Sequence, residues 1–354
     1  MPTNAASRER PQYAALLDWL RSYVAGDGEL GKVGDAFARM TITYQLAALA
    51  RSCGAQHPEL AAAERKSFVR AHQTIDTSAR VVRLLERGGL AVVTLKGPAL
   101  AGRFWGDVTF RPSGDVDVLV EPRDRSAAIA VLEAEGYETV KLYPDWYVDR
   151  WLCNIGMVAA LGPKVEVHWS FVRPYLGRPC VETVLATRED IQCGSRLLPA
   201  PDPAWQLLTA SVHTLFHDIA LRTLLDVALI GRALTPPVWE RTIAHARAAG
   251  LGPSLYNGVK ASASLLDWTP PVRLDDLCPG PLGRRVADGY LGMLSPFSVP
   301  SPWARQVGKV ATPLVSTAPK GLVRALPFSI VDRPRVLARM DAAVRRRVDR
   351  PPHR

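Results

Sequence analysis

The hydrophobic period of this chain changes at the Gly88-Gly89 pair, and that change restricts its fold more than any other feature. Up to that point, residues 11 to 88 carry apolar side chains at helical spacing: Tyr13, Leu16, Leu17 and Leu20 early, then Phe68, Val69, Ile75, Val82 and Leu85. The two glycines are a helix stop. Beyond them, residues 90–95 (LAVVTL) form a short β-branched run suited to a buried strand. Residues 115–120 (DVDVLV) alternate strictly, as a half-buried strand does. The chain is therefore predicted to lay a sheet between helices.

The rest of the pattern agrees with that order. Residues 98–105 suit one or two helical turns, and residues 127–135 put Ile129 and Leu132 on one helical face, with Gly136 placed as a C-terminal cap. Residues 137–142, 154–161 and 165–171 read as three further strands, the last two joined through a Gly162-Pro163-Lys164 turn as a hairpin. Helical spacing returns from Pro203, notably over residues 204–234, and 13 of the 29 prolines fall from Pro270 onward, which leaves regular structure patchy there. There is no internal repeat. The expected class is α+β: a small mixed sheet flanked by N- and C-terminal helical regions. The expected divisions are residues 1–80 (helical), 81–200 (sheet domain), 201–295 (helical) and 296–354 (a Pro-containing basic tail).

The chemistry concentrates on the alternating strand. Asp115 and Asp117 leave the same face while Val116, Val118 and Val120 leave the other. Two like charges at that spacing repel, so a strand that keeps both either turns them to solvent at a sheet edge or gives them a cation. Divalent ions with hard oxygen preferences supply one, and salt bridges to Lys96, Arg103 or Arg111 supply another. In VEVHW the same alternation sets Glu166 and His168 against Val165 and Val167, so a third carboxylate joins the pair if the strands are neighbours. His213 and His217 stand four apart on a helical stretch, but HTLFH lacks the glutamate of a zinc protease, and a packed core histidine fits better. Neither G-x-S-x-G, nor a Walker A loop, nor G-x-G-x-x-G occurs.

The string LKGPALAGRFWGDVTFRPSGDVDVLV, followed by a helix, an E-G-Y turn and VEVHW, resembles the uncharacterised nucleotidyltransferase family of the polymerase-β-like nucleotidyltransferase superfamily. The resemblance covers about residues 90 to 170 and extends more weakly into ALRTLLDVALI, a helix the family places after the catalytic domain with a His and an Asp, here His213 and Asp226. It implies a Mg²⁺-dependent enzyme, with two ions and Mn²⁺ as an alternative. Such an enzyme moves a nucleoside monophosphate from an NTP, ATP among them, to an acceptor and releases pyrophosphate. Asp115, Asp117 and Glu166 match its metal-binding and catalytic acids. Lys96 and Gly97 stand where the wider superfamily has a Gly-Ser pair that faces the triphosphate, so the serine is missing here. Arg111 is either a phosphate contact or the partner of an acid, and Lys96 either touches phosphate or holds the acids in register. The alternative is a non-catalytic, regulatory nucleotide- or partner-binding module of the antitoxin-like kind.

Charge and cysteine usage bound the remainder. Of the net +10, twelve cations against three acids lie between Trp303 and Arg354, so nearly all of the excess sits in the tail. Such a segment is read as a solvated, partly packed tail, and nucleic acid is not an expected partner. Five widely spaced cysteines form no C-x-x-C pair and read as reduced thiols. No apolar run approaches the ~18 residues of a membrane span, and no secretory signal is evident, so a cytoplasmic protein is expected. The Arg- and Ala-rich composition points to a GC-rich bacterial source. Oligomeric state and the acceptor are not legible.

Overall fold

The computed structural model describes residues 11–140, 143–216, 221–281 and, beyond these, Arg284, Arg285 and Asp288. The basic tail of residues 296–354 lies outside them.

The helical start resolves into four helices, α1 (Pro11–Ala25), α2 (Asp35–Thr43), α3 (Ala47–Ser52) and the long α4 (Pro58–Arg87). α4 opens with proline at its first turn and a His57 cap, and it stops at Gly88. Its inner stripe, including Ile75, Val82 and Leu85, is buried, and the helix runs unbroken through residue 80. Phe68 and Val69, at helical spacing with that stripe in the sequence, face outward and stay about half exposed.

Five strands follow: β1 (Val93–Thr94), β2 (Asp115–Leu119), β3 (Glu138–Thr139), β4 (Asn154–Val158) and β5 (Lys164–His168), in the spatial order β1-β2-β5-β4-β3. β2 and β5 run parallel, and every other pairing is antiparallel, so the sheet is mixed and the fold is α+β. β4 and β5 form the hairpin expected at Gly162. The two edge strands, Val93–Thr94 and Glu138–Thr139, are shorter than their apolar runs, although each is prolonged by one backbone hydrogen bond, Leu95 N–H to the Asp117 carbonyl at 3.1 Å and Val140 N–H to the Gly156 carbonyl at 2.8 Å. One face of the sheet is apolar. Val116, Val118, Val165, Val167 and Met157 pack there against Val81, Val82 and Leu85 of α4 and against Ala128 and Leu132 of α6 (Arg125–Ala134).

α5 (Pro98–Phe104) joins β1 to the loop that leads into β2. α7 (Asp145–Trp151) and α8 (Val181–Ala186) flank the β4–β5 hairpin in sequence, and a second hairpin, β6 (Glu189–Cys193) with β7 (Arg196–Ala200), is absent from the sequence reading. Its strands EDIQC and RLLPA are too polar and too interrupted by Pro199 to announce themselves. The hairpin is fastened to the sheet where Thr94 Oγ1 donates to the Pro199 carbonyl at 2.6 Å. Within 204–234 the described residues form α9 (Pro203–Phe216) and α10 (Leu221–Ala233), and residues 217–220, His217 among them, lie outside the described residues. With α11 (Pro236–Ala249) and α12 (Gly252–Leu266), these share a single apolar core with α1–α3 and the β1 end of the sheet. No helix among the described residues is long and apolar enough to cross a membrane.

Candidate active site

The register of the sheet determines which side chains meet. β2 and β5 align Asp115 with Lys164, Asp117 with Glu166 and Leu119 with His168. β4 adds Asn154 opposite His168 and Gly156 opposite Glu166. Because all of these are at even spacing along their strands, they share the face opposite the valine layer. One face of a small sheet therefore carries three carboxylates, an imidazole, a lysine and an amide.

Asp117, Glu166 and His168 come together: one donor atom from each lies within 4.8 Å of the other two. Asp117 Oδ1 accepts from His168 Nε2 at 2.9 Å and from Lys96 Nζ at 3.1 Å. Glu166 is held from both sides, its Oε2 by Asn154 Nδ2 at 2.7 Å and its Oε1 by Lys164 Nζ at 2.6 Å. Gly156 makes this last bond sterically feasible, since a Cβ at that position would run into the Lys164 side chain. Asp115 stands apart from the trio. It is the first residue of β2, and its Oδ1 accepts from Ser113 Oγ at 3.1 Å. The group that meets at one point is therefore two acids and a histidine, where the sequence anticipated three acids. The signal for His168 was its same-face position two residues beyond Glu166.

Electrostatics keep both acids ionised. Burial alone would push the Asp117 carboxyl up, but the Lys96 ammonium and His168 together hold it well below the usual carboxylate range. The His168 hydrogen bond, against burial and with help from Lys164, brings Glu166 down to about 2. His168 moves the other way. Burial disfavours its charged form, and the carboxylates of Asp117 and Glu166 overcome that and raise it well above an ordinary histidine. Its Nδ1 is buried without a hydrogen-bond partner among the described residues, and the Cys153 side chain adds to the upward shift. Two ionised carboxylates suit a hard divalent cation, and the His168 imidazole joins them as a ligand only once it gives up the proton that their charge keeps on it. Lys96 and Lys164 pair with the same two carboxylates.

The residues expected at the phosphates are placed as follows. Gly97 precedes α5 at φ +67, a conformation open to glycine, and it lies close to Ser113. Lys96 is drawn onto Asp117 and so, in this structure, holds the acid in register. Arg111 is buried, and its planar fork is engaged by an acid: Nε and Nη2 donate to the two oxygens of Asp226 on α10, each at 2.6 Å. Trp105 Nε1 donates to the same carboxylate at 3.0 Å. Asp226 is thus the buried anchor of the loop that leads into β2. A separation of 115 residues hides that contact from any local pattern. Beside Glu166, a cavity of about 260 Å³ opens between β4 and α7, with Tyr143, Asn154, Lys164 and Arg173 in its wall.

Among known proteins, the model of the uncharacterised nucleotidyltransferase family matches residues 38–267, well over half of the chain. No curated protein matches at a significant level. Among solved structures, the antibiotic-resistance factor ANT(2″)-Ia aligns over 50% of this chain and 91% of its own at 13% identity and a TM-score of 0.36, a likeness too loose to bear on function.

Proposed function

Since the chain belongs to the uncharacterised nucleotidyltransferase family, we propose that it transfers a nucleoside monophosphate from an NTP to an acceptor and releases pyrophosphate, with Asp115, Asp117 and Glu166 as the acids that hold divalent cations. The observation that carries this reading is the meeting of Asp117, Glu166 and His168 within 4.8 Å on a parallel strand pair, with Asp115 on the same face. Mg²⁺ or Mn²⁺ held there would make the acceptor hydroxyl more acidic and offset charge on the departing pyrophosphate.

The side chains themselves bind and orient. Asp117 and Glu166 are ionised across neutral pH, as ligands must be. A carboxylate with so low a pKa is a better ligand and hydrogen-bond acceptor than a proton acceptor, so Glu166 orients the acceptor hydroxyl more than it deprotonates it. The cavity beside Glu166 is the place for that acceptor. With an ion on the carboxylate, Lys96 would be free to pair with a phosphate oxygen instead of Asp117, and the first backbone N–H groups after Gly97 that could meet the same phosphates would be those of Ala99 and Leu100, since Pro98 has none. Arg111 acts by fixing the loop before β2 and by adding positive charge near Asp115.

One observation favours a second reading. Lys96 and His168 already neutralise Asp117, as they would in a nucleotide- or partner-binding module that performs no chemistry. Incubation with each of the four NTPs and Mg²⁺, following pyrophosphate release and self-labelling in wild type and Asp117→Asn, decides between them. Release that Asp117→Asn abolishes supports transfer. Saturable NTP binding with no release under any condition supports the module.

A further inference from the structure

The cavity beside Glu166 is built on the acid face of the sheet. Lys164 and Glu166 of β5 line it together with Asn154 and Gly156 of β4, all at even register and so opposite the valine layer. Val140 extends this lining, since its N–H donates to the Gly156 carbonyl at 2.8 Å. α7 contributes Val148 and Leu152 to the wall, and Tyr143, stacked on Tyr147 at a centroid distance of 5.1 Å, joins them. The space of about 260 Å³ falls short of the ~300–1,000 Å³ of drug-sized pockets, so it takes a small molecule or one end of a larger one.

Among the described residues, the charged side chains of the wall are Glu166, Lys164, Asp145 and Arg173. Two of them answer each other, Lys164 Nζ donating to Glu166 Oε1 at 2.6 Å. Asp145 is exposed in the first turn of α7, where solvent and salt screen it. Arg173, in the segment after β5, is partly buried. Burial works against its charge, and Tyr175, Cys153 and Tyr147 favour it. Its hydrogen bond to the Tyr175 hydroxyl engages a neutral acceptor, which does not discharge a guanidinium. A charge in a partly desolvated wall acts more strongly than one in water, so Arg173 gives the inner cavity a positive end. That end is near the acid site, because Cys153 acts on both Arg173 and His168.

We infer that this cavity selects an acceptor that is a small hydroxylated anion, its carboxylate or phosphate paired with Arg173 and its hydroxyl at Glu166. The inference rests on the transfer reading of the acid face and adds to it the class of acceptor. Arg173 is then the specificity-determining residue, since a planar guanidinium meets two oxygens of either anion at once and gains no such pair from a neutral polyol. In the transfer, the acceptor hydroxyl oxygen bonds to the α-phosphorus of the NTP. The bond from that phosphorus to the oxygen bridging to the β-phosphate breaks, pyrophosphate leaves with the electron pair, and the hydroxyl proton passes to solvent.

The test uses the full-length protein with Mg²⁺ and a non-hydrolysable NTP, and three-carbon probes that differ in one group: glycerate, glycerol 3-phosphate, glycerol and 2-amino-1,3-propanediol. Ligand-observed NMR titrations rank their affinities for wild type, Arg173→Gln and Arg173→Lys, with thermal melts to verify folding. Expected is at least one anion bound about tenfold or more above glycerol, with the aminodiol weakest, a preference lost in Arg173→Gln and partly kept in Arg173→Lys. The tighter of the two anions tells carboxylate from phosphate recognition. Anions that bind no better than glycerol overturn the inference, as does a preference unchanged in Arg173→Gln. So does an anion that binds only by displacing the nucleotide, because it then occupies the phosphate site. Should both variants fail to fold, the wild-type ranking and the nucleotide competition decide. Pyrophosphate release with neutral or cationic hydroxyl compounds but not with anions would leave transfer standing and this inference wrong. Selective anion binding that depends on Arg173, with no pyrophosphate from any NTP, leaves the cavity's selectivity standing while the transfer reading alone fails.

Discussion

Asp117 is the side chain on which most of the chemistry turns, and its surroundings reverse a simple expectation. Two bare carboxylates on one strand face repel, so removing one charge should relieve strain. Here Asp117 is buried against Lys96 and His168, and Asp117→Asn would leave two cations facing each other. The variant is therefore expected to lose about 3 kcal/mol of stability in metal-free buffer along with its turnover. Chemical denaturation in EDTA measures the first, and an unchanged midpoint would show that Lys96 and His168 relax away at no cost. The pH dependence follows from the same three groups. Asp117 and Glu166 are depressed, so their contribution is in place above the unfolded carboxyl values of about 4 and disappears as pH falls through the folded ones. His168 is raised, so its contribution is complete below about 6.5 and is lost as pH climbs through its folded value. The metal-free protein should be most stable between roughly pH 5 and 6.5, with an alkaline decline that Asp117→Asn flattens. Melting temperatures taken across the pH range check both limbs.

At the scale of elements, what holds the acid face in place is a contact between the loop before β2 and α10. Asp226 there accepts from both forks of Arg111 and from Trp105. Asp226→Asn should cost about 3 kcal/mol, because it strands buried Arg111 beside Arg222, whereas Trp105→Phe should cost about 1 kcal/mol for one hydrogen bond. Urea unfolding of the two variants tests the ranking, and equal losses would mean that packing at Trp105 dominates. Gly97→Ala, which forces a Cβ into a left-handed backbone, is expected to destabilise the turn before α5 by about 1–3 kcal/mol and to raise the KM for NTP. These elements differ in how far the sequence revealed them. The alternation of DVDVLV and VEVHW announces a two-faced sheet, because period two is a local property. The Gly88-Gly89 stop and the Gly162 turn are equally local. The β6–β7 hairpin carries no such period, and Arg111, Asp226 and Arg222 meet only through the packing of α10. His168 lay between these cases: its face was legible, but its bond to Asp117 depended on the parallel register of β2 and β5.

For the whole molecule, helices that precede and follow the sheet in the chain share a core beside it, and a cavity opens at Glu166 on the acid face. Residues 303–354 carry most of the net charge, and removal of the chain after Val344 is expected to leave turnover on a small acceptor within about twofold, since a terminal run of like charges is read from the sequence as a solvated segment. A tenfold loss that high salt reproduces in the full-length protein would instead make the tail a binder of an anionic acceptor. The central claim is that Asp117 and Glu166, beside His168, hold a divalent cation together with a nucleotide. It is tested most directly by Mn²⁺ electron paramagnetic resonance in the presence of a non-hydrolysable NTP, comparing wild type with Asp117→Asn and Glu166→Gln. The account predicts protein-bound Mn²⁺ that appears with the nucleotide and vanishes in Asp117→Asn. Mn²⁺ that stays free in the wild type, or that binds equally well without Asp117, would contradict it.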